Sequence, residues 1–206
     1  MKLADFGFTN GINEVIAITF DQRRKINTAP IGIIVEDENS HLAKIRPYPS
    51  HTRKNIENGS DVWVNITYDP IIFTKTAFED LNEEWFESLE PPIIKGAVAW
   101  CRFKVKSIQD FVEIELIDGK ILRSYIRPVN RGFNALIEAL VYATRYIVNR
   151  DKELLDKIIA CKTLIDKCGS SKEKEAFDMI LKYILPRCVH FDTNTISNSK
   201  LDKSSK

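Results

Sequence analysis

The sequence predicts an α+β fold, an antiparallel closed or partly closed β-barrel followed by a C-terminal segment of about three helices. Three observations carry this. Up to about residue 130, apolar residues alternate or run in short stretches bounded by turn residues. From Arg131 the apolar period changes from two to 3.6. After Phe191 the chain turns to Ser, Asn, Asp, Thr and Lys, too polar to pack. We therefore expect a barrel domain over 1–130, a helical subdomain packed on it over 131–188, and a disordered polar tail over 192–206.

The strand signals follow one another with few interruptions. Ile12 to Phe20 is entered through Asn10-Gly11, and Pro30 to Val35 sets Ile31, Ile33 and Val35 on one face. The polar turn Asp37-Glu38-Asn39 leads into a strand from Leu42 to Tyr48. Asp61 to Thr67 sends Val62, Val64 and Ile66 to one side and Trp63, Asn65 and Thr67 to the other. Between Asp69-Pro70 and Pro91-Pro92, near-helical spacing predicts helix plus loop. Lys95 to Lys106 and Phe111 to Arg127 add further strands, with Asp118-Gly119 as a two-residue hairpin signal. Six or seven strands of this kind favour a barrel.

In the helical part, Phe133, Leu136, Ile137, Leu140, Val141, Ile147 and Val148 form an apolar stripe, with Asn134, Glu138, Tyr142 and Arg145 on another face. Asp151 is placed to cap a second helix that ends near Gly169. Ser170 with Glu173 offers a capping box for a third, which Pro186 stops.

Composition limits the function classes. Over 206 residues, a net charge of +1 gives no global field to gather nucleic acid or an anionic membrane, so any anion site is local. Apolar residues at 44% and charged residues at 29% are the balance of a globular chain. No apolar run with a small-residue cleavage site follows Met1, and no segment is apolar enough to span a bilayer, so we expect a cytoplasmic protein. Cys101, Cys161, Cys168 and Cys188 do not form a secreted disulfide framework and are expected as reduced, buried thiols.

No catalytic constellation is evident. The glycines are isolated, which removes dinucleotide and phosphate-loop fingerprints. His41, His51 and His190 lack neighbours at metal-ligand spacing, and no metal is expected.

One segment concentrates anion chemistry: Arg46-Pro47-Tyr48-Pro49-Ser50-His51-Thr52-Arg53-Lys54-Asn55. Ser50 or Thr52 is placed to cap a short helix ending near Gly59. Together with Arg46, Arg53 or Lys54, this could seat a phosphate, or it could be only a capped helix with solvated cations. Asn27-Thr28-Ala29-Pro30-Ile31-Gly32 is a small-residue strand entry whose proline suits an edge. Asn65 is a carboxamide on an apolar strand, and it needs partners from the barrel or from a ligand. Glu138 and Arg145 share a helical face, where a solvated pair is the default.

Taken in order, these stretches resemble a known family. Ile12-Asn13-Glu14-Val15-Ile16, Asn27 to Gly32, Ser50 to Asn55 and Val64-Asn65-Ile66-Thr67 with Asp69-Pro70 are similar to motifs of an uncharacterised prokaryotic family, domain of unknown function 447. Phe73-Thr74-Lys75-Thr76-Ala77 and Glu138 to Arg145 extend the likeness, which covers about residues 8 to 185. That family lies within the FMN-binding split-barrel superfamily.

The resemblance implies a split barrel like that of flavin reductases, binding FMN near the interface of a homodimer. It assigns the phosphate to Arg46, Ser50 and Thr52, assisted by Arg53 or Lys54. It assigns Ala29, Ile31 and Asn65 to the ring and ribityl chain, with Tyr48 beside them. The chemistry would then be the cofactor's, and no protein acid or base is obligatory. The implied activity is an FMN-dependent oxidoreductase of unknown substrate.

Three alternatives stand beside it, one of them an interaction scaffold whose flavin site has decayed. A deazaflavin or another phosphorylated flat cofactor would use the same seat. A single-stranded nucleic-acid binder would use Arg46, Arg53, Lys54 and an exposed Trp63, against the near-neutral charge.

Overall fold

The computed structural model describes residues 1–124 and 126–185. Six strands close into an antiparallel barrel in the order β1-β2-β3-β8-β7-β4, and two short strands, β5 and β6, form a separate hairpin. The barrel strands are β1 (Gly11–Phe20), β2 (Ile26–Val35), β3 (Leu42–Ile45), β4 (Val62–Ile66), β7 (Ala99–Ile108) and β8 (Val112–Ile121). The hairpin strands are β5 (Phe86–Leu89) and β6 (Pro92–Ile94). The described residues also form five α-helices, α1 (His51–Glu57), α2 (Pro70–Phe78), α3 (Arg131–Asn149), α4 (Lys152–Cys168) and α5 (Ser171–Ile184), and two short 3-10 helices at Leu3–Phe6 and Glu83–Trp85.

Two cores explain the apolar runs. Val15, Ala17, Ile33, Val64, Phe103 and Ile114 pack inside the barrel. Ile16 and Ile18, pointing the other way from β1, pack with α2, α3, α4 and α5. Because β1 is covered on both faces at its centre, Val15 to Ile18 reads as continuous apolar sequence instead of alternating. On β4, Val62 and Val64 face the barrel interior while Trp63 turns outward, as the alternation predicts.

The helix caps follow the expected chemistry. Asn130 accepts from Gly132 N and Phe133 N at 2.8 and 3.2 Å, Asp151 caps α4, and Ser170 and Glu173 form the capping box of α5. Burial, the largest single influence, pushes the Glu173 carboxyl up, but the bonds from Ser170 and from its own main chain, with Arg127 nearby, together hold it below the ordinary carboxylate range.

The structure corrects several expectations. Asp118-Gly119 is not a hairpin turn: β8 runs through it, with Arg102 opposite Asp118, Cys101 opposite Gly119 and Phe103 opposite Leu116. The register shift there is a β-bulge. A Cβ on Gly119 would come 2.7 Å from the Phe6 ring and 2.8 Å from Trp100 O, so glycine serves close approach at this point. The strand expected over Leu42 to Tyr48 stops at Ile45, and Lys95 to Lys106 becomes strand only from Ala99.

On α3 the buried face is Ala135, Leu136, Ala139, Leu140, Ala143 and Tyr146, whereas Val148 is exposed. Leu136 and Leu140 of the expected stripe are core and Phe133, Ile137 and Ile147 pack against it, while the buried face also takes in alanines, whose small side chains admit a neighbouring helix closely. Of the thiols expected to be buried, Cys101 is, but Cys161 and Cys168, on the partly solvated α4, are only half-buried. Pro186, Cys188, His190 and the expected tail lie outside the described residues.

Candidate functional site

The short β3 creates the most distinctive local geometry. β2 pairs with β1 along its full length, but with β3 only at Ile33 opposite Ile45 and Ile34 opposite Lys44. From Ile26 to Gly32, roughly 20 Å of strand, β2 has no strand partner on its second side among the described residues. Beyond Ile45 the chain leaves β2 and runs through Arg46 to Ser50 into α1. It meets β2 again where Asn27 Nδ2 donates to Thr52 Oγ1 at 3.0 Å. The two segments are therefore tied at both ends and carry no ladder between them, which makes a wedge-shaped split in the barrel wall.

The open side of β2 offers backbone groups. Thr28 N turns away from β1 and donates to Asp80 Oδ1 at 2.8 Å, while Leu81 N donates to Thr28 Oγ1 at 3.0 Å. By strand alternation, Pro30 and Gly32 turn their backbone to the same side, and Pro30 has no N–H to leave unpaired there. Ala29 and Ile31 lie opposite Ala17 and Val15, and Ile31 packs against the barrel core. Their backbone groups therefore turn to the β1 ladder and their side chains point inward, so the edge itself is formed by Thr28, Pro30 and Gly32.

A buried polar network fixes the lower end of the wedge. Thr19 Oγ1 accepts from Asn27 Nδ2 at 3.2 Å and from Asn55 Nδ2 at 3.1 Å. Asn27 and Asn55 form part of the lining of a cavity of about 300 Å³, together with His51, Lys54 and Asp80. His51 thus faces a cavity next to the split.

The anion segment divides its side chains. Ser50, not Thr52, caps α1, accepting from Arg53 N at 3.3 Å. Thr52 is buried in the network instead, because a hydroxyl one residue inside the helix faces the barrel end. Arg53 is held by Glu57 at 2.6 Å and by Gln109 O at 3.2 Å. Arg46 is exposed with its guanidinium over Phe111, 5.4 Å from the ring centroid, and Tyr48 is exposed on the loop between. Ser50 and Lys54 remain at the surface beside the wedge.

Asn65 lies elsewhere. Fully buried on β4, it donates to Pro92 O at 2.9 Å and accepts from Ile94 N at 2.7 Å. Both ends of its carboxamide are used to seat the β5–β6 hairpin, so the structure supplies its partners from the protein itself.

The cations and ring invoked for a nucleic-acid face are also separated. Trp63 is half-buried against Trp100 and under Arg102, opposite the latter on β7. Arg46 and Arg53 reach the β7–β8 turn, about 24 Å farther along that strand.

Sequence reasoning passed over Glu14. Its carboxylate lies across β2, where Gly32 leaves room: Glu14 Oε1 is 3.3 Å from the position a Cβ on Gly32 would take. Burial pushes this carboxyl up, and Glu138 on α3 pushes it further. Glu14, Gly32 and Glu138 all fall in quoted motifs, but only the strand pairing sets Glu14 opposite Gly32 and only the packed helix brings Glu138 within electrostatic reach of Glu14. Among the described residues no group of His, Cys, Asp and Glu is placed to hold a metal, and no helix is long and apolar enough to cross a membrane.

A family model described as "Protein of unknown function (DUF447) N-terminal domain" matches residues 13–134, and a second, "Protein of unknown function (DUF447)", matches residues 130–182. The chain belongs to the DUF447 family. A crystal structure of an FMN-bound DUF447 protein from Methanosarcina mazei is 32% identical, covering 87% of this chain and 98% of that one, with a TM-score of 0.75. The likeness thus spans barrel and helices alike.

Two solved structures outside that match are more distant. The styrene monooxygenase flavin reductase of Pseudomonas putida S12 is 11% identical over 58% of this chain and 84% of its own, at a TM-score of 0.45. Flavoredoxin of Desulfovibrio vulgaris (Miyazaki F) is 11% identical over 59% and 75%, at 0.44. Neither bears on individual residues of the DUF447 site.

Proposed function

We propose that this DUF447 chain binds FMN in the wedge between β2 and the Arg46–Lys54 segment and acts as a flavin-dependent oxidoreductase. The observation that carries the reading is the split itself, tied at Ile33–Ile45 and Asn27–Thr52, in a chain 32% identical to an FMN-bound member of its family. In this reading Ser50, Lys54 and Arg46 take the phosphate, as exposed hydroxyl and cations next to the wedge. Thr52 acts behind them by fixing Asn27, and Arg53 by anchoring α1 to Gln109. The main chain of Ala29 to Gly32, with Tyr48 opposite, lines the path of the ribityl chain and ring.

Bound FMN would supply hydride and electron transfer, which no side chain here provides. The protein's own part is to hold the ring against a rigid strand and to limit water at one face. A homodimer belongs to the same proposal: a second subunit would close the open side of the wedge. Ile12, 68% exposed with a methyl beside Gly32 at the end of that open edge, supports such a contact.

The test is a flavin fluorescence titration of the unliganded protein with FMN and, separately, with riboflavin, which lacks the phosphate. Ser50→Ala and Lys54→Ala are each expected to weaken FMN about tenfold and to leave riboflavin unchanged. FMN affinity unaltered in both variants, or riboflavin losing as much as FMN, would contradict the phosphate assignment.

A further inference from the structure

A second cleft, of about 710 Å³, opens over the outer face of β4, β7 and β8, and the flavin reading does not use it. Its size is that of a small-molecule site. Three turns rim it: the β1–β2 turn, the α1–β4 connection and the β5–β6 turn. The Asn65 carboxamide holds the last of these, through Pro92 and Ile94, against the strand that forms the floor. The cleft is thus built on rigid elements within one chain.

The lining has a definite chemistry. Trp63 and Trp100 lie with ring centroids 5.6 Å apart at 41°, and both line the cleft. Four carboxylates line it, Asp21, Asp61, Glu90 and Asp118, against two guanidiniums. Both cations are already paired, Arg24 with Glu90 at 2.8 Å and Arg102 with Asp61 at 2.6 Å. Asp21 accepts from Arg23 N and Lys25 N in the β1–β2 turn and Asp118 from Gly119 N within β8, and neither has a basic side chain at ion-pair distance among the described residues. An aromatic wall with two uncompensated carboxylates attracts positive charge on a flat ring and repels an anion.

We propose that this cleft binds a planar aromatic cation, stacked on the tryptophan pair with its charge toward Asp118 and Asp21. Arg102 already covers part of Trp63, its guanidinium carbon 5.0 Å from the ring centroid, so the indole system is placed to face a cation on its accessible side. The proposal stands apart from the flavin reading in Trp63, Trp100 and Asp118, which line neither the wedge nor the cavity next to it; Asp21 lines both that cavity and the cleft.

The test is isothermal titration of the purified full chain with 1-methylquinolinium and with 2-naphthoate, flat probes of similar size and opposite charge, with and without saturating FMN. The cation is expected to bind at least about tenfold more tightly than the anion. Trp63→Leu should weaken it about tenfold and Asp118→Asn about threefold, while FMN affinity stays at the parent value in both. Asp118 is exposed, so its variant reads the cleft even if the tryptophan replacement perturbs folding. Equal affinity for the two probes, a cation affinity unchanged by Asp118→Asn, or displacement of the cation by FMN would each overturn the proposal. The last result would assign the cleft to the flavin, and failure of FMN to bind at all would leave the cation result standing.

Discussion

Asn65 and Thr52 show how a polar residue can carry a site without touching a ligand. Asn65 uses both ends of its carboxamide on the β5–β6 hairpin, so Asn65→Ala leaves Pro92 O and Ile94 N unpaired in a dry environment. The expected cost is about 2–4 kcal/mol, read as a lower urea midpoint at unchanged slope, and a loss under about 0.5 kcal/mol would contradict the seating role. Sequence alone narrowed Asn65 to two roles, since alternation on β4 shows that it faces away from the barrel interior but not what meets it there. Thr52 was harder to place. Ser50 and Thr52 both suit a helix start, and only the packing of Ile56 against the barrel interior turns the second hydroxyl inward.

Strands and helices were legible to different degrees. The caps of α4 and α5 were written in Asp151 and in Ser170 with Glu173, because capping is local chemistry. The end of β3 was not, since Arg46 to Tyr48 has nothing against strand structure beyond Pro47, and the split depends on how far β3 stays beside β2. Asp118-Gly119 carried the residues of a turn, but Gly119 answers instead to Phe6, more than a hundred residues away in sequence. The α3 stripe caught Leu136 and Leu140 in the core with Phe133, Ile137 and Ile147 packed against it, but favouring large side chains missed Ala135, Ala139 and Ala143 and wrongly included Val148. Helix packing also sets a strict demand at Gly132, where a Cβ would lie 2.4 Å from Gly169 Cα at the end of α4. Gly132→Ala is expected to destabilise the protein by about 2–3 kcal/mol, seen as a lower melting temperature in calorimetry. An unchanged melting temperature would show that the two helices can separate without penalty.

At the scale of the molecule, the closed barrel and the helices share β1, whose two faces serve the two cores. This explains how one side of the barrel can remain split without loss of the fold: closure runs through the extensive β1–β2 and β7–β8 ladders, while β2 and β3 meet at only two residue pairs. The architecture therefore leaves an unpaired strand edge beside exposed Ser50 and Lys54, at the place where the account puts the flavin. The most direct measurement is an absorbance spectrum of the freshly purified protein, followed by mass spectrometry of whatever a denaturant releases. The account predicts a flavin band and released FMN, or stoichiometric uptake of added FMN. A featureless spectrum with no uptake of FMN would contradict it.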